Sequence, residues 1–129
     1  MIYIASPYSH QSTTVREERY QDAFDLAGAM LRQGHNAFSP IAYSHPLAEK
    51  FELPKGWEWW LKLDYEFLRM CDTLLVYQLF EWEESRGVID EINFAAERNI
   101  KILSISEDNA RRVIDDNIEI STLWKEFVR

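Results

Sequence analysis

Residues 73–79 read TLLVYQL, and residues 85–91 read SRGVIDE. The first run is short and mostly apolar, which is typical of a buried strand. The second run begins with Ser85, which can cap a helix, and Gly87, which lets a ligand approach the backbone. It predicts a helix from Gly87 to Arg98, with Glu91 just over one turn inside. A buried strand that leads into such a helix is the repeating unit of an α/β sheet.

The same patterns extend in both directions along the chain. Short apolar runs at residues 2–5, 36–39 and 101–105 predict three further strands. Helical spacing predicts a helix that opens at the capping box Thr14–Glu17 and ends at Gly34, and another helix over residues 57–70. Residues 40–56 contain three prolines and a glycine, and are predicted to be irregular with about one helical turn. A final amphipathic helix is predicted from apolar residues at helical spacing: Ile120, Leu123, Trp124, Phe127 and Val128.

Strands that alternate with helices predict a single α/β domain over residues 1–129. We expect a Rossmann-like, flavodoxin-like three-layer sandwich with a four- to five-stranded parallel sheet. Ligands of such sheets bind beyond the carboxyl ends of the strands. This rule gathers residues 6–10, 39–45, 80–87 and those after Ser104 around one cleft.

Composition excludes several classes of function. The net charge of −8 argues against nucleic acid polymers as partners, whereas small nucleotides need only local donors. A single cysteine, Cys71, excludes an intramolecular disulfide, and no apolar run approaches the roughly 20 residues of a membrane span. We therefore expect a cytoplasmic protein. Histidines without ligand spacing and the lack of a glycine fingerprint predict neither metal nor cofactor.

Asp64 stands where helical spacing requires an apolar residue. It falls in the middle of an apolar face formed by Trp57, Trp60, Leu61, Phe67, Leu68 and Cys71. Burying a carboxylate there costs several kcal/mol unless the group is paired, hydrogen-bonded or protonated. One interpretation is structural, an aspartate that caps a loop or pairs with an arginine. The other, which we favour, is a functional carboxylate.

Glu91 borders the apolar face of its own helix. Most helical glutamates are solvated, so the spacing alone indicates little. Its place near a helix start that a strand directs at the expected cleft favours a function. Two carboxylates at one cleft are what acid-assisted cleavage of a glycosidic bond requires.

Three blocks of sequence carry a resemblance to a known family. They are IYIASPY at residues 2–8, Asp64 with Leu68 and Asp72 at spacings of four, and SxGVxxEIxxA at residues 85–95. In order and approximate spacing over residues 1 to about 105, the chain resembles the nucleoside 2-deoxyribosyltransferase-like superfamily. It is most similar to a small bacterial and phage branch near the 2′-deoxynucleoside 5′-phosphate N-hydrolases, to which the SHP sequence at residues 44–46 also belongs.

The resemblance implies a role for particular residues. Glu91 would be the nucleophile on the anomeric carbon, Tyr3 would orient it, and Asp64 would assist the departing base. Ser85 stands where the hydrolases hold the 5′-phosphate. The implied substrate-binding residues are Ser6, Tyr8, Ser9, His45, Ser85 and Gly87.

Two features depart from the family pattern. Ser6-Pro7 stands in the first loop where the family usually has Gly-Pro or Gly-Ser. The arginine that the hydrolases carry in that loop is missing. Arg16, Arg19 or Arg86 would have to supply the charge that holds a phosphate. Aromatic residues are available to stack on a base, although each is more simply explained by packing: Tyr8, Tyr43, Phe80 and Trp82.

These observations predict an enzyme that cleaves the N-glycosidic bond of a (deoxy)nucleoside 5′-monophosphate or nucleoside, and releases or transfers the base. The alternative is a catalytically silent module on the same fold that binds or senses nucleotides. The resemblance and the apolar C-terminal residues predict a homodimer or higher homo-oligomer, unless those residues pack on the chain's own sheet.

Overall fold

The computed structural model describes residues 1–128, which form an α/β fold with five helices and a five-stranded sheet. Two single turns of 3₁₀ helix, Trp82–Glu84 and Ile120–Thr122, lie between the longer elements. In chain order the elements are β1 (Ile2–Ala5), α1 (Thr13–Arg32), β2 (Ala37–Phe38), α2 (Pro40–Phe51), α3 (Trp57–Arg69), β3 (Thr73–Gln78), α4 (Arg86–Glu97), β4 (Lys101–Ser106), α5 (Glu107–Asp116) and β5 (Lys125–Glu126).

The sheet has the strand order β2-β1-β3-β4-β5. Strands β1 to β4 pair in parallel, as predicted, whereas β5 runs antiparallel to β4. The prediction of a wholly parallel sheet is therefore wrong at its last strand, and the sheet is mixed. Strand β5 has only two residues, and it covers what would otherwise be the unpaired edge of β4. The architecture is compatible with a Rossmann-like sandwich.

Alternate residues of the strands pack on opposite faces of the sheet. Ile4 belongs to a core cluster with side chains of α1 and α5, whereas Tyr3 and Ala5 belong to a cluster with side chains of α3 and α4. The period of two in β1 thus directs Tyr3 toward α4. The position of that tyrosine relative to Glu91 follows from this register.

Helix α2 contradicts the prediction that residues 40–56 are irregular. The Ser39 hydroxyl caps the helix by accepting a hydrogen bond from the Ala42 N–H at 3.1 Å. Pro40 occupies the first turn, where a missing N–H costs nothing. Pro46 removes one internal hydrogen bond but does not end the helix, which stops at Glu52 in a left-handed conformation. Two of the prolines were thus mistaken for breakers.

The C-terminal part also differs from the prediction. The chain forms α5 directly after β4, capped by Ser106, and residues 120–128 form a single turn and β5 instead of a helix. Ile120 is fully buried, and Leu123, Trp124 and Phe127 pack on the two core clusters. These apolar residues cover the chain's own sheet, which was the alternative to an interface. Self-association stays a prediction and loses this support.

A smaller difference concerns the start of the first helix. Helix α1 begins one residue earlier than the predicted capping box, because the Ser12 hydroxyl accepts from the Val15 N–H at 3.3 Å. Within residues 1–128, none of the helices has the length and hydropathy needed to cross a bilayer.

Candidate functional site

A cavity of about 280 Å³ lies beyond the carboxyl ends of β1 and β3, where α2, α3 and α4 approach one another. Eight of the nine residues predicted for the site line this cavity: Ser6, Tyr8, Ser9, His45, Asp64, Ser85, Gly87 and Glu91. The ninth, Tyr3, is fully buried and reaches the cavity through Glu91. The segment after Ser104 was expected at the same cleft. It forms α5 instead, which packs on the opposite face of the sheet.

Glu91 is buried, with 6% of its surface exposed, although the sequence placed it at the border of an apolar face. The Tyr3 hydroxyl donates a hydrogen bond to Glu91 Oε2. Burial, and then the charge of Glu91, raise the pKa of Tyr3 well above its ordinary value. The tyrosine therefore keeps its proton and remains a donor to the carboxylate.

Four influences act on the pKa of Glu91. Burial raises the pKa most, and the charges of Asp64 and Asp90 raise it further, whereas the hydrogen bond from Tyr3 lowers it. The net pKa of Glu91 lies well above its ordinary range. Both carboxyl groups line the same cavity. We call Tyr3, Asp64 and Glu91 the acidic cluster.

Asp64 lies on α3, and burial raises its pKa to about 7. In residues 1–128 this carboxyl group makes no ion pair, and no side-chain hydrogen bond involves it. The structural interpretation, a loop cap or a pair with arginine, has no partner in this part of the chain. A half-buried acid that faces a cavity without a partner is suited to hold a proton near neutral pH.

The start of α4 offers backbone donors to the cavity. Ser85 caps the helix, since its hydroxyl accepts from the Val88 N–H at 3.3 Å. A Cβ added at Gly87 would meet only Trp57 Cβ, at an ordinary contact distance of 3.6 Å. The protein itself therefore does not need a glycine here, and the space is free for a ligand.

Two cationic side chains line the cavity, Arg86 and Lys55. Arg86 was one of three arginines predicted to supply charge, and Lys55 was missed. The guanidinium of Arg86 lies 5.8 Å from the centre of the Trp57 ring and 3.8 Å from Asp90. A ligand anion would compete with this exposed pair.

The other two predicted arginines are used elsewhere. Arg16 donates hydrogen bonds to the carbonyls of His10 and Gln11. Arg19 donates to the Ser9 carbonyl at 3.0 Å and pairs with Glu81 at 3.7 Å. Both arginines hold the backbone of the first loop, and neither lines the cavity.

Ser6 occupies the position where the resemblance led us to expect a glycine. It is 6% exposed, and its hydroxyl has no hydrogen-bond partner within residues 1–128. An unsatisfied buried hydroxyl costs about 1–3 kcal/mol. A polar group of a ligand in the cavity would satisfy it.

Among the four aromatic residues predicted to stack on a base, only Tyr8 lines the cavity. Phe80 is 79% exposed, Trp82 packs near Phe127, and Tyr43 packs against Phe38 and Phe67. Two tryptophans of α3 line the cavity instead: Trp57 and Trp60. The sequence had placed both on the inner face of their helix, together with Asp64.

His45 was predicted to bind substrate, and it lines the cavity together with Tyr8. The Tyr8 hydroxyl lies 2.7 Å from His45 Nδ1, and Glu17 Oε2 lies 2.9 Å from His45 Nε2. Both imidazole nitrogens are therefore occupied. Within residues 1–128, no group of three or more His, Cys, Asp or Glu side chains is arranged so that it could hold a metal ion.

Residues 1–107 match a family model whose description is "Domain of unknown function (DUF1937)". The chain belongs to this family. No curated protein matches it. The DUF1937 segment contains β1 to β4 and every residue that lines the cavity, whereas nearly all of α5 and the whole of β5 lie outside it.

Proposed function

We propose that this protein cleaves the N-glycosidic bond of a 2′-deoxynucleoside 5′-monophosphate, with Glu91 as the nucleophile. The proposal rests on the buried hydrogen bond from Tyr3 to Glu91 and on Asp64, which has no partner within residues 1–128. Packing alone does not explain why these polar groups are placed together. The resemblance to nucleoside 2-deoxyribosyltransferase-like proteins supports the proposal. We also propose that the fold is the flavodoxin-like variant of the Rossmann-like sandwich, since the strand order 2-1-3-4-5 is typical of that variant.

Cleavage proceeds in two displacements at the sugar carbon C1′. A carboxylate oxygen of Glu91 attacks C1′, the bond from C1′ to the base nitrogen breaks, and the bonding electrons leave with the base. Asp64 gives its proton to the departing base. Water or a second base then attacks C1′, the ester bond to Glu91 breaks, and the proton of the attacking group returns to Asp64. Water gives hydrolysis, and a second base gives transfer.

This chemistry requires an ionised Glu91 and a protonated Asp64. Burial raises the pKa of both groups, and the hydrogen bond from Tyr3 is the influence that favours the charge on Glu91. We propose that the bound substrate leaves the proton on Asp64, whose pKa burial raises to about 7. Positive charge that develops at C1′ stabilises the Glu91 carboxylate further. A sugar without a 2′-hydroxyl forms such a cationic state more readily, which is why a deoxynucleotide is proposed.

The start of α4 provides the proposed seat for the 5′-phosphate. Backbone N–H groups at a helix start favour an anion, and Ser85 adds a hydroxyl without a charge. Lys55 and Arg86 place two cations at the cavity of a protein whose net charge is −8. They replace the family's loop arginine, while Arg16 and Arg19 hold the loop itself.

Chromatography of reaction mixtures tests the proposal. The protein is incubated with panels of deoxynucleoside monophosphates, ribonucleoside monophosphates and nucleosides, each with and without an acceptor base. We expect free base from at least one deoxynucleoside monophosphate. Release of no base from any member would exclude the enzyme and favour the alternative, a module that binds or senses nucleotides without turnover.

Self-association is a separate proposal that rests on the resemblance alone. Light scattering at micromolar concentration measures the mass directly. A mass above the 15.3 kDa of one chain is expected, and a monomer at all concentrations would contradict the proposal.

A further inference from the structure

A second polar cluster reaches the cavity through Tyr8 and His45, and it takes no part in the cleavage described above. We call Tyr8, Glu17 and His45 the imidazole cluster. Its members come from the loop after β1, from α1 and from α2. His45 is 6% exposed, and its ring stacks on Tyr20 with 4.2 Å between ring centroids and 23° between planes. Stacking and two hydrogen bonds fix the orientation of the imidazole.

The partners of His45 determine which atoms carry protons. The Glu17 carboxylate can only accept hydrogen bonds, so the proton between it and His45 belongs to Nε2. In a neutral imidazole, Nδ1 is then an acceptor. The Tyr8 hydroxyl, 2.7 Å from Nδ1, must donate its proton to that nitrogen.

This arrangement leaves the Tyr8 hydroxyl unable to donate a hydrogen bond to a ligand. A free phenol both donates and accepts hydrogen bonds, but the only proton of Tyr8 is held by His45. The oxygen of Tyr8 retains acceptor lone pairs alone. Because Tyr8 lines the cavity, a ligand group that meets this oxygen has to be a donor.

We propose that Tyr8 is a specificity-determining residue that selects nucleotides with an O–H or N–H donor at its oxygen, and that Glu17, through His45, enforces this selection. The inference rests on the proposed function for the class of ligand. Two parts of a deoxynucleotide carry such donors, the 3′-hydroxyl of the sugar and the N–H groups of the base. A ligand without the donor leaves this half-buried acceptor without a ligand partner, which discriminates more strongly than a missing methylene does.

Nitrogen-15 NMR of histidine-labelled protein at pH 8 tests the proton arrangement without any ligand. The chain has three histidines, so His45→Gln assigns the signals by loss. We expect a neutral His45 with its proton on Nε2 and an acceptor Nδ1. A proton on Nδ1 would overturn the inference.

Calorimetry tests the selection itself, in a Glu91→Ala background that prevents turnover. Each of the four deoxynucleoside monophosphates is compared with analogues that lack either the 3′-hydroxyl or a base N–H donor. For one of the two positions we expect the Kd to rise at least about tenfold when the donor is removed. That position identifies the group that meets Tyr8.

Substitutions of the cluster decide whether Tyr8 is responsible. In Tyr8→Phe the ratio of the two Kd values should fall to within about twofold of one, whereas Tyr43→Phe, in a tyrosine of α2 outside the cavity, should leave it unchanged. Glu17→Lys replaces the acceptor by a donor and should abolish discrimination. Glu18→Lys makes the same change of charge on the neighbouring residue and should preserve it.

The outcomes separate this inference from the proposed function. A ratio that is unchanged in both Tyr8→Phe and Glu17→Lys would overturn the inference, even if the protein releases base. Discrimination that depends on Tyr8, without release of base by the parent protein, would leave the selection intact and refute the enzyme. If no nucleotide binds, both the proposed function and the class of ligand assigned to Tyr8 would be wrong.

Discussion

The acidic cluster and the imidazole cluster each place two side chains at the same cavity, but their buried groups differ in how they are hydrogen-bonded. In the imidazole cluster, the buried His45 has a hydrogen-bond partner at each nitrogen. In the acidic cluster, Tyr3 donates its hydrogen bond to Glu91 alone, and burial raises the pKa of both carboxyl groups. The first cluster is arranged as a stable fold requires. The second opposes folding when it is ionised, which is typical of groups retained for chemistry.

The largest expected effect comes from removing the nucleophile. Glu91→Ala should reduce base release by at least a thousandfold, because the variant lacks the carboxylate proposed to attack C1′. The fold should persist, since alanine is a strong helix former. Initial rates and thermal melts measure both effects. Glu97→Ala, in an exposed residue of the same helix, is the matched control.

Retention of more than about a tenth of the rate in Glu91→Ala would correspond to less than about 1.4 kcal/mol. Such a loss is too small for a nucleophile. The proposed mechanism would then be wrong, and the contrast between the two clusters would need another explanation.

Asp64→Asn should lower turnover by about a hundredfold or more, because the base loses its proton donor. The same substitution should raise the free energy of unfolding at neutral and alkaline pH. The folded pKa of about 7 lies above the unfolded value of 3.8, so the free energy of unfolding falls as pH rises from about 4 to 7. The full shift corresponds to roughly 4 kcal/mol, and we expect about half of it to be recovered at pH 8.

Urea denaturation of parent and variant at pH 4 and pH 8 measures this difference, with Glu66→Gln as an exposed control on α3. The gain should be present at pH 8 and much smaller at pH 4, because pH 4 lies close to the unfolded pKa of 3.8 and little of the shift is expressed there. An Asn variant that is less stable at pH 8 but keeps its turnover would show that Asp64 is structural.

Ser85→Asp should change the preferred substrate. Aspartate caps a helix as well as serine does, so α4 should remain intact. Its negative charge repels a 5′-phosphate, and we expect KM for the monophosphate to rise about tenfold while KM for the nucleoside is little changed. Lys55→Met should shift KM in the same direction, and Lys62→Met, outside the cavity, should not. Equal use of nucleoside and monophosphate by the parent protein would contradict the phosphate seat.

The smallest expected effect lies in the imidazole cluster. Glu17 is 60% exposed, so its pair with His45 should stabilise the fold by less than about 1 kcal/mol. Glu17→Ala should therefore lower the free energy of unfolding slightly, and Glu18→Ala should hardly change it, as measured in urea. A loss above about 2 kcal/mol would mean that the two clusters do not differ in the way described.

The sheet and much of the site could be predicted from the sequence, because buried residues recur about every two positions in a strand and about every 3.6 positions in a helix. The helical period of α3 placed Asp64 among the apolar residues of its inner face, whereas the contact between Tyr3 and Glu91 was implied by the resemblance alone. Helix α2 was missed because Pro40 and Pro46 were taken as breakers, although Ser39 followed by proline is a recognisable helix start.

Other features depend on contacts that no local pattern contains. Lys55 reaches the cavity only because the link between α2 and α3 brings it there. Residues 120–128 carry apolar residues at helical spacing, but so short a segment is a marginal helix, and packing on the sheet determined its conformation. The partners of His45 come from two elements more than 25 residues away in sequence.

Arg19 has a consequence for how the mouth of the cavity behaves mechanically. One guanidinium donates to the Ser9 carbonyl at 3.0 Å and pairs with Glu81 at 3.7 Å, so it joins the loop after β1 to the loop after β3. These two loops carry Ser9 and Ser85 on separate parts of the rim. Because a single side chain spans them, a movement that separates the two loops has to break one of its two contacts.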